Sequence, residues 1–350
     1  MRVVVLGATG NVGTSLLQAL ANDDRIDTVL GVARRLPALS IPKVEWTHAD
    51  ITTSDLTTLF RRADAVVHLA WLIQPSRDLE HLRRVNVDGS ARVFDAVAAA
   101  DVPALIYASS LGAYSPAPKN RRVDESWPVE GIRTSFYSRH KAEVERMLDR
   151  FEREQPHVRV VRLRPGLTFK REAATGIRRL FVGPFLPNKL LRPGLLRIVP
   201  DVPGLCVQAL HSLDVGEAYR LAIVGDARGA FNIVAEPPLD AALIARLLDA
   251  RRIPIPRWLA RSLVSFSYQL RLQPSPPGWF DLGIGSPLLD AARAHDELGW
   301  QPKRTADDTL LELIAGLRDS AGAPTPPLDP QTSGPARAHE LATRIGGHER

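Results

Sequence analysis

The sequence predicts an α/β protein: a doubly wound parallel sheet with a smaller C-terminal lobe beside it. Short, continuous apolar runs alternate with helix-length segments through the first 165 residues, as in a parallel sheet covered on both faces. The first run breaks into a Gly cluster that leads straight into a helix. After Arg164, Pro and Gly become dense among large apolar residues and Arg, which suits a lobe of short pieces. With 350 residues, 45% hydrophobic and 24% charged, the chain can build a large core, and wholesale disorder is excluded.

The elements follow in order. Val3–Leu6 is a strand, Gly7–Gly13 a turn and Gly13–Ala21 a helix. Thr28–Ala33 and Val44–His48 are strands, and Ser54 is expected to cap a helix through Arg61. Ala65–Ala70 is the fourth strand, Val85–Ala100 a long helix, Ala104–Ala108 the fifth strand, Phe136–Glu154 a helix and Val158–Leu163 the sixth strand. Right-handed crossovers put the ligand crevice at the C-terminal ends of these strands. Residues 1–165 thus form the sheet domain and 166–318 the lobe. Residues 207–235, a helix at Val215–Val224 and a strand at Ala230–Val234, are expected to return to the sheet. Trp258–Leu272 is an amphipathic helix, either a lid over the pocket or a peripheral membrane contact. Ala291–Gly299 and Thr309–Asp319 are helices, and residues 319–350 read as a disordered tail rich in Ala, Pro, Gly and Thr.

Composition removes several function classes. A single cysteine, Cys206, excludes a disulfide framework and a multi-Cys zinc site. His68 has no second ligand at metal spacing, so no metal is expected and a packed strand residue is the better reading. No run nears eighteen apolar residues and no leader pattern opens the chain, so no integral membrane segment and a cytoplasmic setting are expected. The net charge of +6 comes from 45 basic residues, nearly all Arg and dispersed beside acids, so no nucleic-acid partner is expected.

Gly7, Gly10 and Gly13 sit between a strand and a helix, with Thr9, Asn11 and Val12 among them. Glycine there permits positive φ and lets backbone N–H groups approach a pyrophosphate at the helix N-terminus. Arg34 and Arg35 end the second strand, about twenty residues on, where an acid would take a ribose hydroxyl and Arg suits a 2′-phosphate. They favour NADP, with NAD open, against the alternative of two surface arginines.

Tyr137 and Lys141 lie four apart on a predicted helix, so both side chains emerge on one face. A nearby ammonium is expected to lower the phenol pKa and make it a usable proton donor or acceptor. Ser109 and Ser110 follow the fifth strand at the crevice end of the sheet; alone they would read as a turn or cap, but with the Tyr/Lys pair they read as catalytic.

In combination these motifs are similar to the extended short-chain dehydrogenase/reductase superfamily, NAD-dependent epimerase/dehydratase family, over residues 1–318. The resemblance rests on Gly7-Ala8-Thr9-Gly10-Asn11-Val12-Gly13, Asp50-Ile51, Val67-His68-Leu69-Ala70, Asn86-Val87-Asp88-Gly89, Ser110 with Tyr114, Tyr137-Ser138-Arg139-His140-Lys141, Arg164-Pro165-Gly166, His211-Ser212-Leu213-Asp214-Val215 and Glu297-Leu298-Gly299-Trp300-Gln301-Pro302. It implies an NAD(P)-binding Rossmann fold. Tyr137 would be the acid/base, Lys141 would orient the nicotinamide ribose, Ser110 would orient the substrate, and Asn86 would join the catalytic set. Asp50 and Ile51 would meet the adenine. Leu69, Ala70, Trp71, Asn86, Ser109, Pro165 and Gly166 would line the cofactor. A homodimer through the helices of 85–100 and 136–154 follows by analogy.

The departures point to a substrate class. Leu111-Gly112 stand where dehydratases carry an Asp-Glu pair, and Leu167 and Val207 stand where sugar-nucleotide epimerases carry Asn and Arg. The expectation is an oxidoreductase moving hydride at a carbonyl/alcohol carbon of a small, apolar molecule. Leu167, Phe169, Leu180, Phe181, Phe185, Leu186, Leu190, Leu191, Leu195, Leu196 and Ile198 are candidates for the pocket wall. The alternatives are an epimerase of a sugar derivative, to which Arg178, Arg179, Arg192 and Arg197 would supply diphosphate contacts, and a non-catalytic NADP-binding regulator.

Overall fold

The computed structural model describes residues 1–73, 77–182 and 197–330. Seven parallel strands form the central sheet: β1 (Arg2–Leu6), β2 (Thr28–Ala33), β3 (Val44–His48), β4 (Ala65–His68), β5 (Ala104–Ala108), β6 (Arg159–Pro165) and β7 (Gly229–Ile233). Their spatial order is β3-β2-β1-β4-β5-β6-β7. Val5 of β1 pairs with Gly31 of β2 on one side and Val67 of β4 on the other. The chain therefore starts at the sheet centre, runs outward to β3, and crosses back to β4. The topological switch falls beside β1, where the Gly-rich turn emerges.

The apolar strand runs are explained by burial from both sides. Val3, Val4, Val5 and Leu6 are fully buried. Val3 and Val5 face α1 (Asn11–Ala21) and α5 (Ser212–Val224), through Leu16, Leu17 and Leu20 of the first and Val215, Tyr219 and Ile223 of the second. Val4 and Leu6 face α2 (Leu56–Phe60), α3 (Gly89–Ala99) and α4 (Phe136–Glu154), through Phe60, Phe94, Val97, Val144 and Leu148.

Two helix starts differ from expectation. The side chain that caps α2 is Asp55, which accepts from the Thr58 N–H; Ser54 instead accepts from the Asp50 N–H. Asp and Ser are equally good caps, and sequence alone does not rank neighbours. The segment expected as one helix, Val85–Ala100, is two pieces, a π-helical stretch at Arg84–Asp88 and α3, and a short helix at Leu79–Arg83 capped by Asp78 precedes them. The wide π turn carries Asn86, whose placement explains it below.

The second lobe joins short strands to helices α6 (Ala241–Leu247), α7 (Arg257–Gln269), α8 (Pro277–Gly285), α9 (Ala292–Leu298) and α10 (Ala306–Arg318). Its core contains Phe169, Leu239, Leu243, Leu313 and Leu317, with Leu167 packed against it. Leu167, Phe169 and the buried Leu180 thus help build the lobe itself, and Ile198 is exposed. Phe185, Leu186, Leu190, Leu191, Arg192, Leu195 and Leu196 lie outside the described residues, as does the Phe181 side chain. Residues 321–330, expected in the tail, lie against the lobe: Leu328 is buried and Thr175 donates to the Ala321 carbonyl. The remainder, 331–350, lies outside the described residues.

Candidate active site

The loop between β1 and α1 is built for a close backbone approach. Gly7 adopts φ +79°, and a Cβ there would meet the Ala70 nitrogen at 2.7 Å. A Cβ on Gly13 would stand 2.5 Å from the Gly7 carbonyl oxygen. α1 begins after Gly10 with no side-chain cap and no acid in its first turn, so its N-terminal N–H groups keep their partial positive charge for an anion. These features fit the pyrophosphate of a dinucleotide. Thr9 is buried beside them, and Val12 packs against the core. Asn11 turns away from the loop: its amide donates to the Thr168 carbonyl and accepts from the Ser212 hydroxyl, tying α1 to the lobe and to α5. Lys170 was not singled out by sequence. Its buried Nζ reaches the Asn11 carbonyl at 3.1 Å, Thr14 Oγ1 at 2.7 Å and Ser15 Oγ at 2.9 Å, adding a cation under the first turn. Burial pulls its pKa down to about 8.

At the other end of the crevice, Arg34 and Arg35 are exposed just past β2. Asp50 lies near Arg34. Burial alone would raise its carboxyl, but bonds from the Thr52 N–H and hydroxyl, and the Arg34 charge, hold it below the usual value. Ile51 is buried, touching the position where Gly89 would carry a Cβ.

The structure brings Tyr137, Lys141 and Ser110 together. Ser135 caps α4, so Tyr137 and Lys141 occupy its first two turns on one face. Ser110 lies where β5 ends, with its hydroxyl and the Tyr137 ring both beside Gly112, and accepts from the Gly112 N–H at 3.0 Å. Tyr137 is flanked by two indoles, Trp279 of α8 at 4.9 Å between ring centroids and Trp71 at 6.0 Å. Lys141 Nζ donates to the Ala108 carbonyl at 2.6 Å and sits 3.5 Å from the Trp71 ring centre. The expectation that Lys141 lowers the phenol pKa does not hold in this arrangement. Burial pushes Tyr137 up to about 12, only partly offset by the nearby Ser110 hydroxyl. Burial also draws Lys141 well below its ordinary value, with Glu145 opposing. The Lys141 ammonium lies 5.9 Å from the Tyr137 ring centre, over Trp71 and bonded to the main chain, so the phenol feels little of it.

Gly112 has a specific purpose here. A Cβ on it would stand 2.8 Å from Tyr137 Cε1. The acid expected of a dehydratase at this position would displace the tyrosine ring. Gly112→Ala is accordingly expected to shift Tyr137 and lower kcat by about a hundredfold, the usual effect of an ångström-scale misplacement, with the melting temperature nearly unchanged. Steady-state kinetics beside a thermal melt would check this, and unchanged kcat would show that the ring position is not critical.

Asn86 is fully buried, and its side chain is committed to the main chain of Leu72: Oδ1 accepts from the Leu72 N–H at 2.7 Å and Nδ2 donates to the Leu72 carbonyl at 3.0 Å. The π-helical widening places it there, and its visible role is to hold the segment that carries Leu69, Ala70 and Trp71. Trp71 Nε1 is buried without a hydrogen-bond partner among the described residues. Pro165 ends β6, and Gly166 follows, where a Cβ would meet the Gln208 carbonyl oxygen at 2.6 Å. Tyr114 stands apart from the phenol, donating to Asn232 and accepting from Arg164. His68 packs in the core against Ser90, and Asp214 receives the Arg304 N–H.

A buried ion network behind the site was missed. Glu145, one turn beyond Lys141, accepts from Arg164 through both oxygens at 2.8 and 3.0 Å, from Arg162 at 2.9 Å, and from the Ser109 hydroxyl. Burial alone would raise its carboxyl, but Arg164, Arg162 and Ser109 outweigh that and hold it at about 2. Ser109 thus serves this network. The only sequence signal was two Arg inside an apolar strand, which need a buried acid somewhere.

Comparisons with known proteins agree with this architecture. Residues 3–175 match the model of the NAD dependent epimerase/dehydratase family. An uncharacterized protein of Mycobacterium tuberculosis is 25% identical over 325 residues, 92% of this chain and 31% of that protein. The chain thus spans about a third of the length of that curated relative. A ceramide reductase of Caulobacter vibrioides is 33% identical over 139 residues, 38% of this chain and 42% of that protein. Among solved structures, UDP-glucose 4-epimerase of Thermus thermophilus in complex with NAD superposes with a TM-score of 0.66 at 20% identity, covering 92% of this chain and 100% of that one. Through residues 3–175, which carry the Gly-rich loop and the Tyr137/Lys141 helix, the chain belongs to the NAD dependent epimerase/dehydratase family.

Proposed function

We propose that the protein is an NADP-dependent oxidoreductase that moves hydride between the nicotinamide and a carbonyl/alcohol carbon of a small, apolar substrate. The observation that carries this reading is the setting of Tyr137. Ser110 stands beside it across Gly112, while Trp71 and Trp279 flank its ring and Gly112 puts no acid there. Such a site can hold a substrate oxygen between Ser110 and Tyr137, pass it a proton, and press apolar surface against the indoles. With Leu111 and Gly112 following Ser110, it lacks the acid pair that a dehydratase would use to eliminate water. The nicotinamide group supplies the hydride when bound, on the Gly7–Gly13 loop with Asp50, Ile51 and Arg34 at the adenosine end. Lys141 would hold a hydroxyl of the nicotinamide ribose.

A second reading, epimerisation of a sugar nucleotide, is favoured by the structural likeness to UDP-glucose 4-epimerase. Leu167 in the lobe core speaks against it, since that position offers no amide. The relative named ceramide reductase is consistent with an apolar substrate.

Cofactor choice is directly measurable. NADPH is expected to bind about ten- to a hundredfold tighter than NADH, the value of one or two charge-assisted bonds from Arg34 and Arg35. Titration of both cofactors into the wild type and Arg34→Ala/Arg35→Ala checks this. Equal affinities, or a preference that survives the double substitution, would make the pair surface decoration.

A further inference from the structure

Helix α7 is amphipathic in the wrong sense for a helix of a protein core. Leu259, Leu263, Phe266 and Leu270, spaced by 4, 3 and 4, form one stripe, and all four are exposed. Trp258 beside the stripe is 69% exposed and Phe266 61%, the two largest exposures among the large apolar side chains of the described residues. No residue of α7 is buried. The opposite side holds the helix to the body: Arg261 pairs with Asp281 of α8, and Arg77 stacks on the Tyr268 ring at 4.2 Å. Ile253 before α7 and Leu272 after it are also exposed, extending the apolar surface at both ends.

The charge beside this face is mostly basic: Arg252 pairs with Asp201 and Arg261 with Asp281, and Arg257 and Arg271 have no ion-pair partner among the described residues. Residues 251–280 contain Arg251, Arg252, Arg257, Arg261 and Arg271 and no Asp or Glu. Arg251, Arg252, Arg257 and Arg271 are exposed. A water-facing stripe of Leu and Phe, with Trp258 beside it and exposed Arg257 and Arg271 at the two ends of the helix, matches a helix that lies in a membrane interface, with aromatic and aliphatic side chains among the acyl chains and guanidiniums reaching the phosphates. No helix among the described residues is long and apolar enough to cross a membrane, so the contact is with the surface. We infer that α7 docks this protein on an anionic lipid surface through the Leu259/Leu263/Phe266/Leu270 face. The position adds a consequence. α7 packs on α8 through the Arg261–Asp281 pair, and α8 carries Trp279 against Tyr137. The docked face is therefore one helix from the candidate active site. The inference rests on the surface alone and is independent of the reaction proposed above.

Flotation of the full chain with vesicles tests it, with no cofactor or substrate present. The protein is expected to float with phosphatidylcholine vesicles containing about a third phosphatidylglycerol, and roughly tenfold less with phosphatidylcholine alone. Leu263→Asp/Phe266→Asp is expected to lose flotation by tenfold or more while far-ultraviolet circular dichroism and cofactor affinity stay unchanged. Arg257→Gln/Arg271→Gln is expected to lower binding to the anionic vesicles roughly tenfold or more, and it leaves the apolar stripe intact. Wild type that floats with neither vesicle overturns the proposal, as does flotation that survives both substitutions. Sedimentation completes the test: a dimer that Leu263→Asp/Phe266→Asp dissociates, without flotation of the wild type, would assign the face to a second copy and also overturn it.

Discussion

Tyr137→Phe is expected to lower kcat by about 10²–10⁴ and leave cofactor affinity nearly unchanged. The removed hydroxyl belongs to the helix Phe136–Glu154, near Ser110 at the end of β5, and is no part of the Gly7–Gly13 loop. The ring itself stays, so its contacts with Trp279 and Trp71 persist and the fold should not change. The size of the loss follows from the role: without the phenol, the developing alkoxide keeps the Ser110 hydroxyl as a hydrogen-bond partner but loses its general acid. With the phenol held near 12 by burial, the neutral form dominates across the physiological range, and Tyr137 stands ready to donate toward a carbonyl. Full activity in Tyr137→Phe, measured with saturating cofactor, would remove the tyrosine from the chemistry.

Glu145→Ala is expected to be the most damaging single change to stability, at about 3–5 kcal/mol. The side chains of Glu145, Arg164 and Arg162 are only 2%, 5% and 6% exposed. Without the carboxylate, Arg164 keeps only the Tyr114 hydroxyl and the Glu125 carbonyl as partners, and a buried guanidinium is left without a counter-charge. The melting temperature should fall on the order of 10 °C. The same network sets a pH dependence. Glu145 is depressed from its ordinary value of 4.5 to about 2, so its contribution is fully present above 4.5 and is lost progressively as pH falls toward 2. Denaturant melts of wild type and Glu145→Ala across that window should converge at the acid end. A loss no larger than that of a surface pair, or parallel pH profiles, would show the network to be incidental.

What was legible in the sequence was what local pattern dictates. β2, β3 and β5 were expected at their observed bounds: β2 and β5 are apolar runs between turn residues, and β3, Val44-Glu45-Trp46-Thr47-His48, alternates as an edge strand does. α4 was also expected at its observed bounds, from Phe136 to Glu154, and its four-residue Tyr/Lys spacing carried the site. What was not legible depends on distant chain. Trp279 meets Tyr137 across more than a hundred residues of sequence, and no local pattern announces it. Glu145 reads as one surface acid among several on an amphipathic helix until β6 brings Arg162 and Arg164 against it. Gly112 could be read only as a missing acid; the contact with the tyrosine ring gives the reason a side chain is excluded. The π-helical turn at Arg84–Asp88 was hidden because no local pattern separates it from an ordinary helical turn, and the bonds of Asn86 to the Leu72 main chain come from chain fourteen residues away.

The most direct measurement is turnover followed at the nicotinamide absorbance band. Purified protein would receive NADPH with a series of apolar ketones and aldehydes, and, separately, UDP-glucose with NAD to follow conversion to UDP-galactose. Hydride transfer at an apolar carbonyl predicts NADPH consumption with at least one of the first set, loss of that activity in Tyr137→Phe, and no epimerisation of UDP-glucose. Conversion of UDP-glucose, or carbonyl reduction undiminished in Tyr137→Phe, would contradict it.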